Sequence, residues 1–181
     1  MIDREIVIPG PLRPLHGETS TVFDLLLVYG VGVAAGILAL VFAHSRVASM
    51  EWWKSLLLFL VAVDVCGGAV ACFSPSTALY YEDRPRLRWI FIFIHFVEPA
   101  ILFVLFDGRI AYWLFLYVFT VAAASLLNII PDRRRRGVLA AGLVTLGIMI
   151  LLPVGLATPF LVWFGPVYMI KLILAFAVRR S

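Results

Sequence analysis

The chain has 181 residues, 63% hydrophobic and only 14% charged, with mean hydropathy +1.03 and a formal net charge of +4. Soluble domains are about 45–50% apolar and about 25% charged, and a chain this short cannot bury such an excess in one core. A water-soluble globule is therefore excluded, and lipid is the expected solvent. The basic balance is explained below by loop arginines, so no nucleic-acid partner is expected.

Residues 1–21 read as a short polar arm. They mix acids with bases, hold Pro9, Pro11 and Pro14, and lack the 7–15-residue apolar core of a signal peptide. A bilayer-spanning helix needs about 20 mostly apolar residues. Six windows qualify, at 22–43, 54–73, 88–106, 109–130, 137–153 and 159–178. Backbone groups in lipid must pair internally, so the expected fold is an all-α, polytopic bundle of six transmembrane helices in one domain, 22–178, with a tail at 179–181.

The first span opens with Thr21 and Asp24 at capping-box spacing, and carries Gly32 and Gly36 as a G-x-x-x-G face for another helix. In the second span Asp64 is the only charge after Lys54. It is followed on the same face by Gly67, Gly68, Ala71 and Cys72. That face is nearly bare, so either a helix backbone packs there or a small molecule occupies the space; Gly67 and Gly68 are candidate substrate-contacting positions. Cys66 and Cys72, six residues apart, point to different faces, and no bridge between them is expected.

Residues 74–88 read as a polar loop. Its hydroxyls (Ser74, Ser76, Thr77, Tyr80, Tyr81) precede Arg84, Arg86 and Arg88, a combination able to hold a phosphate or lipid headgroup. The simpler alternative is that these arginines only fix orientation.

The third span contains His95-Phe-Val-Glu98-Pro99. His95 and Glu98 share a helix face. Pro99 lacks an N–H, which frees the His95 carbonyl and predicts a kink. A turn at 106–108 leads to the fourth span, with Asn128 near its end. Pro131 and the run Arg133 to Arg136 follow, and then the fifth span. The sixth is expected to start with Thr158 as N-cap and Pro159 at the first helical position. It holds Gly165-Pro166 as a bend and Tyr168 one turn before Lys171. The five tryptophans fall near span ends, where aromatic belts sit. No internal repeat stands out.

Basic residues set orientation. The arm, the second and fourth loops and the tail together hold eleven of the fifteen, whereas the opposite side holds three: Arg46, Lys54 and Arg109. Both termini are therefore expected in the cytoplasm, and the membrane is the cell (inner) membrane if the chain is prokaryotic.

A rise of 1.5 Å per residue brings Asp64, His95 and Glu98 to nearly one depth at mid-membrane, with Lys171 slightly to the cytoplasmic side. A charge there costs at least about 2.5–3.5 kcal/mol, so these four are expected to meet. One lysine cannot neutralise two carboxylates. Glu98 is assigned as the proton-carrying acid, Asp64 as the ionised partner of Lys171, and His95 as a relay or hydrogen-bond donor; the two acids are interchangeable at this stage. The bland alternative is a structural ion network. A metal on His95, Glu98 and Asp64 is a further use, but His16 and His44 lie outside the spans, and no metal or cofactor is expected.

No Walker loop, dinucleotide fingerprint, nucleophile elbow or zinc-protease motif is present. The leading expectation is proton-linked transport, or other handling, of a small or lipophilic substrate among membrane lipids. Because six spans are few for a transporter, a homodimer is expected. The rivals are an intramembrane acid–base enzyme acting on a lipid-like substrate and a non-catalytic membrane subunit or assembly factor.

Overall fold

The computed structural model describes residues 2, 4–47, 49–106, 109–154 and 159–178. The expected turn at Asp107–Gly108, the Thr158 cap and the tail arginines Arg179 and Arg180 lie outside the described residues. The elements run β1 (Glu5–Val7), α1 (Arg13–His16), β2 (Thr19–Thr21), α2 (Val22–Phe42), α3 (His44–Val47), α4 (Trp52–Phe73), α5 (Pro75–Glu82), α6 (Pro85–Ile94), α7 (Val97–Phe106), α8 (Ile110–Ile129), α9 (Arg133–Val154) and α10 (Phe164–Met169). A π-helical stretch, Ile170–Phe176, continues α10. Among the described residues six helices are long and apolar enough to cross a bilayer: α2, α4, α6 with α7, α8, α9 and Pro159–Phe176. The architecture is an all-α bundle, with one small exception in the arm.

That exception is an antiparallel two-stranded ribbon in which Ile6 pairs with Ser20, at the start of α2. Thr21 caps α2, its Oγ1 accepting from the Asp24 amide at 3.1 Å. The segment 74–88 is not the irregular loop its polarity suggests. Ser74 accepts from the Thr77 amide at 3.2 Å and Pro75 opens α5; Pro85 opens α6 in the same way. Pro at the first helical position after an extended residue is a start signal rather than a loop signal. Likewise Asp132 accepts from the amides of Arg134 and Arg135, so the arginine run is already helical and α9 begins at Arg133.

Two contacts position the site. The first is the close approach of α2 and α4. A Cβ added at Gly67 would lie 2.9 Å from the Val28 carbonyl oxygen, and one at Gly32 would lie 3.0 Å from that of Val63. Small residues let these backbones touch. The second is the central place of the sixth apolar helix: 56% of it is buried, against 22% of α2. Its side chains Phe164, Tyr168, Met169 and Leu172 pack with Leu58 and Val65 of α4, Leu102 of α7 and Leu116 of α8 in the core. Lys171 is thereby carried into the middle of the bundle. Both cysteines are free.

Candidate functional site

The third apolar helix breaks where the sequence says it should. α6 ends at Ile94, and α7 resumes at Val97. The carbonyl that Pro99 leaves without a helical donor is taken by Tyr168, whose Oη donates to His95 O at 2.7 Å. A residue one turn before Lys171 thus pins the broken helix to α10. His95 is held from its other side, with Nδ1 2.5 Å from Phe91 O. A carbonyl can only accept, so Nδ1 carries the proton and Nε2 faces Glu98, 3.6 Å from Oε1.

The four mid-helix ionisable groups meet. Lys171 Nζ lies 2.8 Å from Asp64 Oδ2 and 3.3 Å from Glu98 Oε1. The Lys171 stem fits because Gly68 has no side chain; a Cβ there would fall 2.8 Å from Lys171 Cε. The ammonium therefore fills the position between the carboxylates that a cation would otherwise take. Among the described residues no group of three His, Cys, Asp or Glu is arranged for a metal ion.

The members differ sharply in exposure. The side chains of Lys171, His95 and Glu98 are 3%, 8% and 11% exposed, whereas that of Asp64 is 52% exposed. Glu98 Oε2 is buried with no hydrogen-bond partner. Asp64 opens onto a cleft of about 560 Å³ between α4 and the broken helix. One wall carries Leu57, Leu60 and Val61; the other carries Phe91, Ile94 and Val97. A second hollow of about 310 Å³ continues it past Leu57 and Val97 toward Trp53 and Leu105. The cleft is apolar along its length except at the cluster.

Its other end is closed by the arm. Pro14 and Leu15 line the cleft beside Tyr81. Tyr81 Oη donates to Pro14 O at 3.0 Å, Thr77 Oγ1 to Leu15 O at 2.8 Å and Ser76 Oγ to His16 O at 3.1 Å. Three of the five loop hydroxyls read as headgroup ligands, Ser76, Thr77 and Tyr81, are thus engaged by the arm backbone. Burial pushes the Tyr81 phenol above its ordinary range, which keeps it a donor. His16 is buried, and its Nε2 shares a hydrogen bond of 2.8 Å with Tyr29 Oη; burial lowers its affinity for a proton.

Of the other singled-out residues, Gly67 faces α2 and Gly68 faces Lys171, and neither lines the cleft. Arg84 pairs with Glu18 at 2.7 Å and lies over the Tyr80 ring. Arg88 is buried, donating to Asn128 Oδ1 at 2.7 Å. Arg86 is exposed. The three arginines do not form one binding surface with the cluster. Sequence reasoning missed the Arg88–Asn128 bond and the complete burial of Arg136, because loop arginines carry no mark of which one turns inward. It also missed the cleft-lining arm residues. Comparison with protein-family models, with curated proteins and with solved structures found no match to this chain.

Proposed function

We propose that the chain is a six-span membrane protein that admits a small lipophilic substrate into the cleft between α4 and α6–α7 and moves it with a linked proton. One observation carries this reading: a carboxylate at the middle of an apolar helix is half exposed on a cleft wall, while its counter-ion is buried behind it. An ion network serving only stability has no use for an open face, and membrane-buried ionisable groups default to function. Within the cluster, Asp64 makes the shorter contact to Lys171 and is the ionised partner. Glu98, with a longer contact and a donor-less buried oxygen, carries the proton. His95, with Nδ1 held by Phe91 O and an unprotonated Nε2 toward Glu98, is the relay that can accept that proton rather than a donor to it.

The orientation we propose has both termini cytoplasmic. It rests on the eleven-to-three bias of basic residues, and is supported by the arm and α5 meeting at one end of the bundle. A second reading is favoured by the apolar walls of the cleft: acid–base chemistry on a lipid-like molecule entering sideways.

Native mass spectrometry on protein purified from its own membrane tests the proposal, with wild type beside Asp64→Asn and Glu98→Gln. A bound mass present in wild type and lost in correctly folded variants is the expected result. A mass that wild type converts rather than releases favours the enzyme. Folded variants with the wild-type spectrum, or a wild type with nothing bound, would reject a substrate cleft and leave the cluster as structural.

A further inference from the structure

The cleft is selective in sign as well as in polarity. Its lining offers one exposed ionic group, Asp64, set among hydrocarbon and two aromatic rings, Phe91 and Tyr81. The positive member, Lys171, lies behind that carboxylate with 3% of its side chain exposed. An anion entering between α4 and α6 therefore meets a carboxylate first, with no accessible cation to receive it. A neutral lipid would leave the exposed part of the Asp64 carboxylate, whose Oδ2 already accepts from Lys171, against hydrocarbon, which is unfavourable for a desolvated charge. A cation with an apolar body satisfies both: the carboxylate pairs with the charge, and the hydrocarbon walls take the body.

We infer that the substrate of this cleft is a lipophilic monocation, such as a hydrophobic amine or quaternary onium ion, and that it exchanges for one proton held on Glu98. The inference rests on the reading of the cleft as a substrate site and adds the class of substrate. The charge count gives the stoichiometry. With Glu98 protonated and His95 neutral, Asp64 and Lys171 balance and the cluster is neutral. When a monocation seats on Asp64, the cluster becomes neutral again if the Glu98 carboxyl gives its proton to solvent and pairs with Lys171, from which its Oε1 is 3.3 Å distant. One positive charge enters as one leaves, and no net charge is left in the apolar interior. The groups facing Glu98 are Asp64 from α4, Lys171 and Tyr168 from the sixth apolar helix, and His95 on its own; Cys66 and Cys72 lie near Lys171.

The experiment uses the full chain in detergent and two probes of one shape and opposite charge, tetraphenylphosphonium and tetraphenylborate. Binding is followed by calorimetry, and proton release by a pH indicator in weak buffer. The phosphonium is expected to bind once per chain, to release about one proton, and to bind about tenfold tighter per pH unit as pH rises through the range where the proton is held. The borate is expected not to bind. Asp64→Asn should abolish binding. Glu98→Gln, which leaves the occupied cluster with one uncompensated positive charge, should bind the phosphonium far more weakly, with no proton release and no pH dependence. Leu60→Trp narrows the cleft wall one turn from Asp64 while leaving every ionisable group of the cluster in place, and should weaken binding at least tenfold, which keeps the test open if Asp64→Asn fails to fold.

Equal binding of the borate, or phosphonium binding unchanged in both Asp64→Asn and Leu60→Trp, overturns the inference; so does a wild type that ignores the phosphonium. If native mass spectrometry then finds a neutral or anionic lipid lost in Asp64→Asn, the substrate cleft stands and only its cation selectivity falls.

Discussion

The arm and the mid-helix cluster both tie distant parts of this chain together through polar groups, and they are made of different materials. In the arm, the hydroxyls of Ser76, Thr77 and Tyr81 each donate to a backbone carbonyl; these contacts are neutral, and the Arg84–Glu18 ion pair beside them is partly exposed. In the cluster, one ammonium holds two carboxylates from two other helices. A neutral hydrogen bond is worth about 0.5–1.5 kcal/mol net, so the arm can be loosened one bond at a time. Removing one member of a buried ion set leaves the others uncompensated, at a cost of about 3–5 kcal/mol. The cluster thus acts as a unit, whereas the arm is divisible, and both line one cleft, the arm at its closed end.

Substitutions can break that contrast. Lys171→Met is expected to have the largest effect, about 3–5 kcal/mol, read as a large fall in melting temperature in detergent. Combining it with Asp64→Asn and Glu98→Gln should restore most of the loss, because no unpaired charge remains. A single variant that melts like wild type would show that the cluster is not a unit. Tyr168→Phe should cost about 1–3 kcal/mol, since it strands the buried His95 carbonyl that Pro99 already deprives of a donor; an unchanged melting temperature would mean the broken helix is held some other way.

Thr77→Val should cost about 1 kcal/mol, confined to the arm. Faster amide hydrogen exchange over residues 5–21 with unchanged core melting is the expected signature, and a fall in core melting would merge the two regions.

The smallest expected effect is acidification. The docked His16 holds its proton less readily than the ordinary imidazole value of 6.5. The undocked arm therefore binds more protons once pH drops below about 6.5. Docking is fully favoured above that value and weakens as pH falls toward the lower docked value. Arm exchange should rise on acidification, and His16→Gln should flatten that rise.

Much of this was legible along the chain. The six apolar helices follow from composition and length, since hydrocarbon run-lengths are local properties. The break at His95 and the freed carbonyl follow from one proline. The Gly32 face was readable as a helix contact, and the common depth of Asp64, His95 and Glu98 follows from the fixed rise of a helix. The helices at 75–82 and 133–136 were written in Ser74-Pro75 and in Asp132 before the arginine run, but polarity pointed to loops. Capping chemistry, which is equally local, outweighs it.

What the sequence by itself determined, then, is the set of apolar helices, where one of them breaks, and which charges lie deep. Only the tertiary structure decided that Lys171 fills the bare face at Gly68, that Asp64 alone opens to the cleft, that Tyr168 caps the broken helix, and that the arm closes one end. The physical reason is that exposure and pairing are relations between helices. A rotation of one helix by a single residue, about 100°, would leave every local signal intact and turn Asp64 from the cleft into the core.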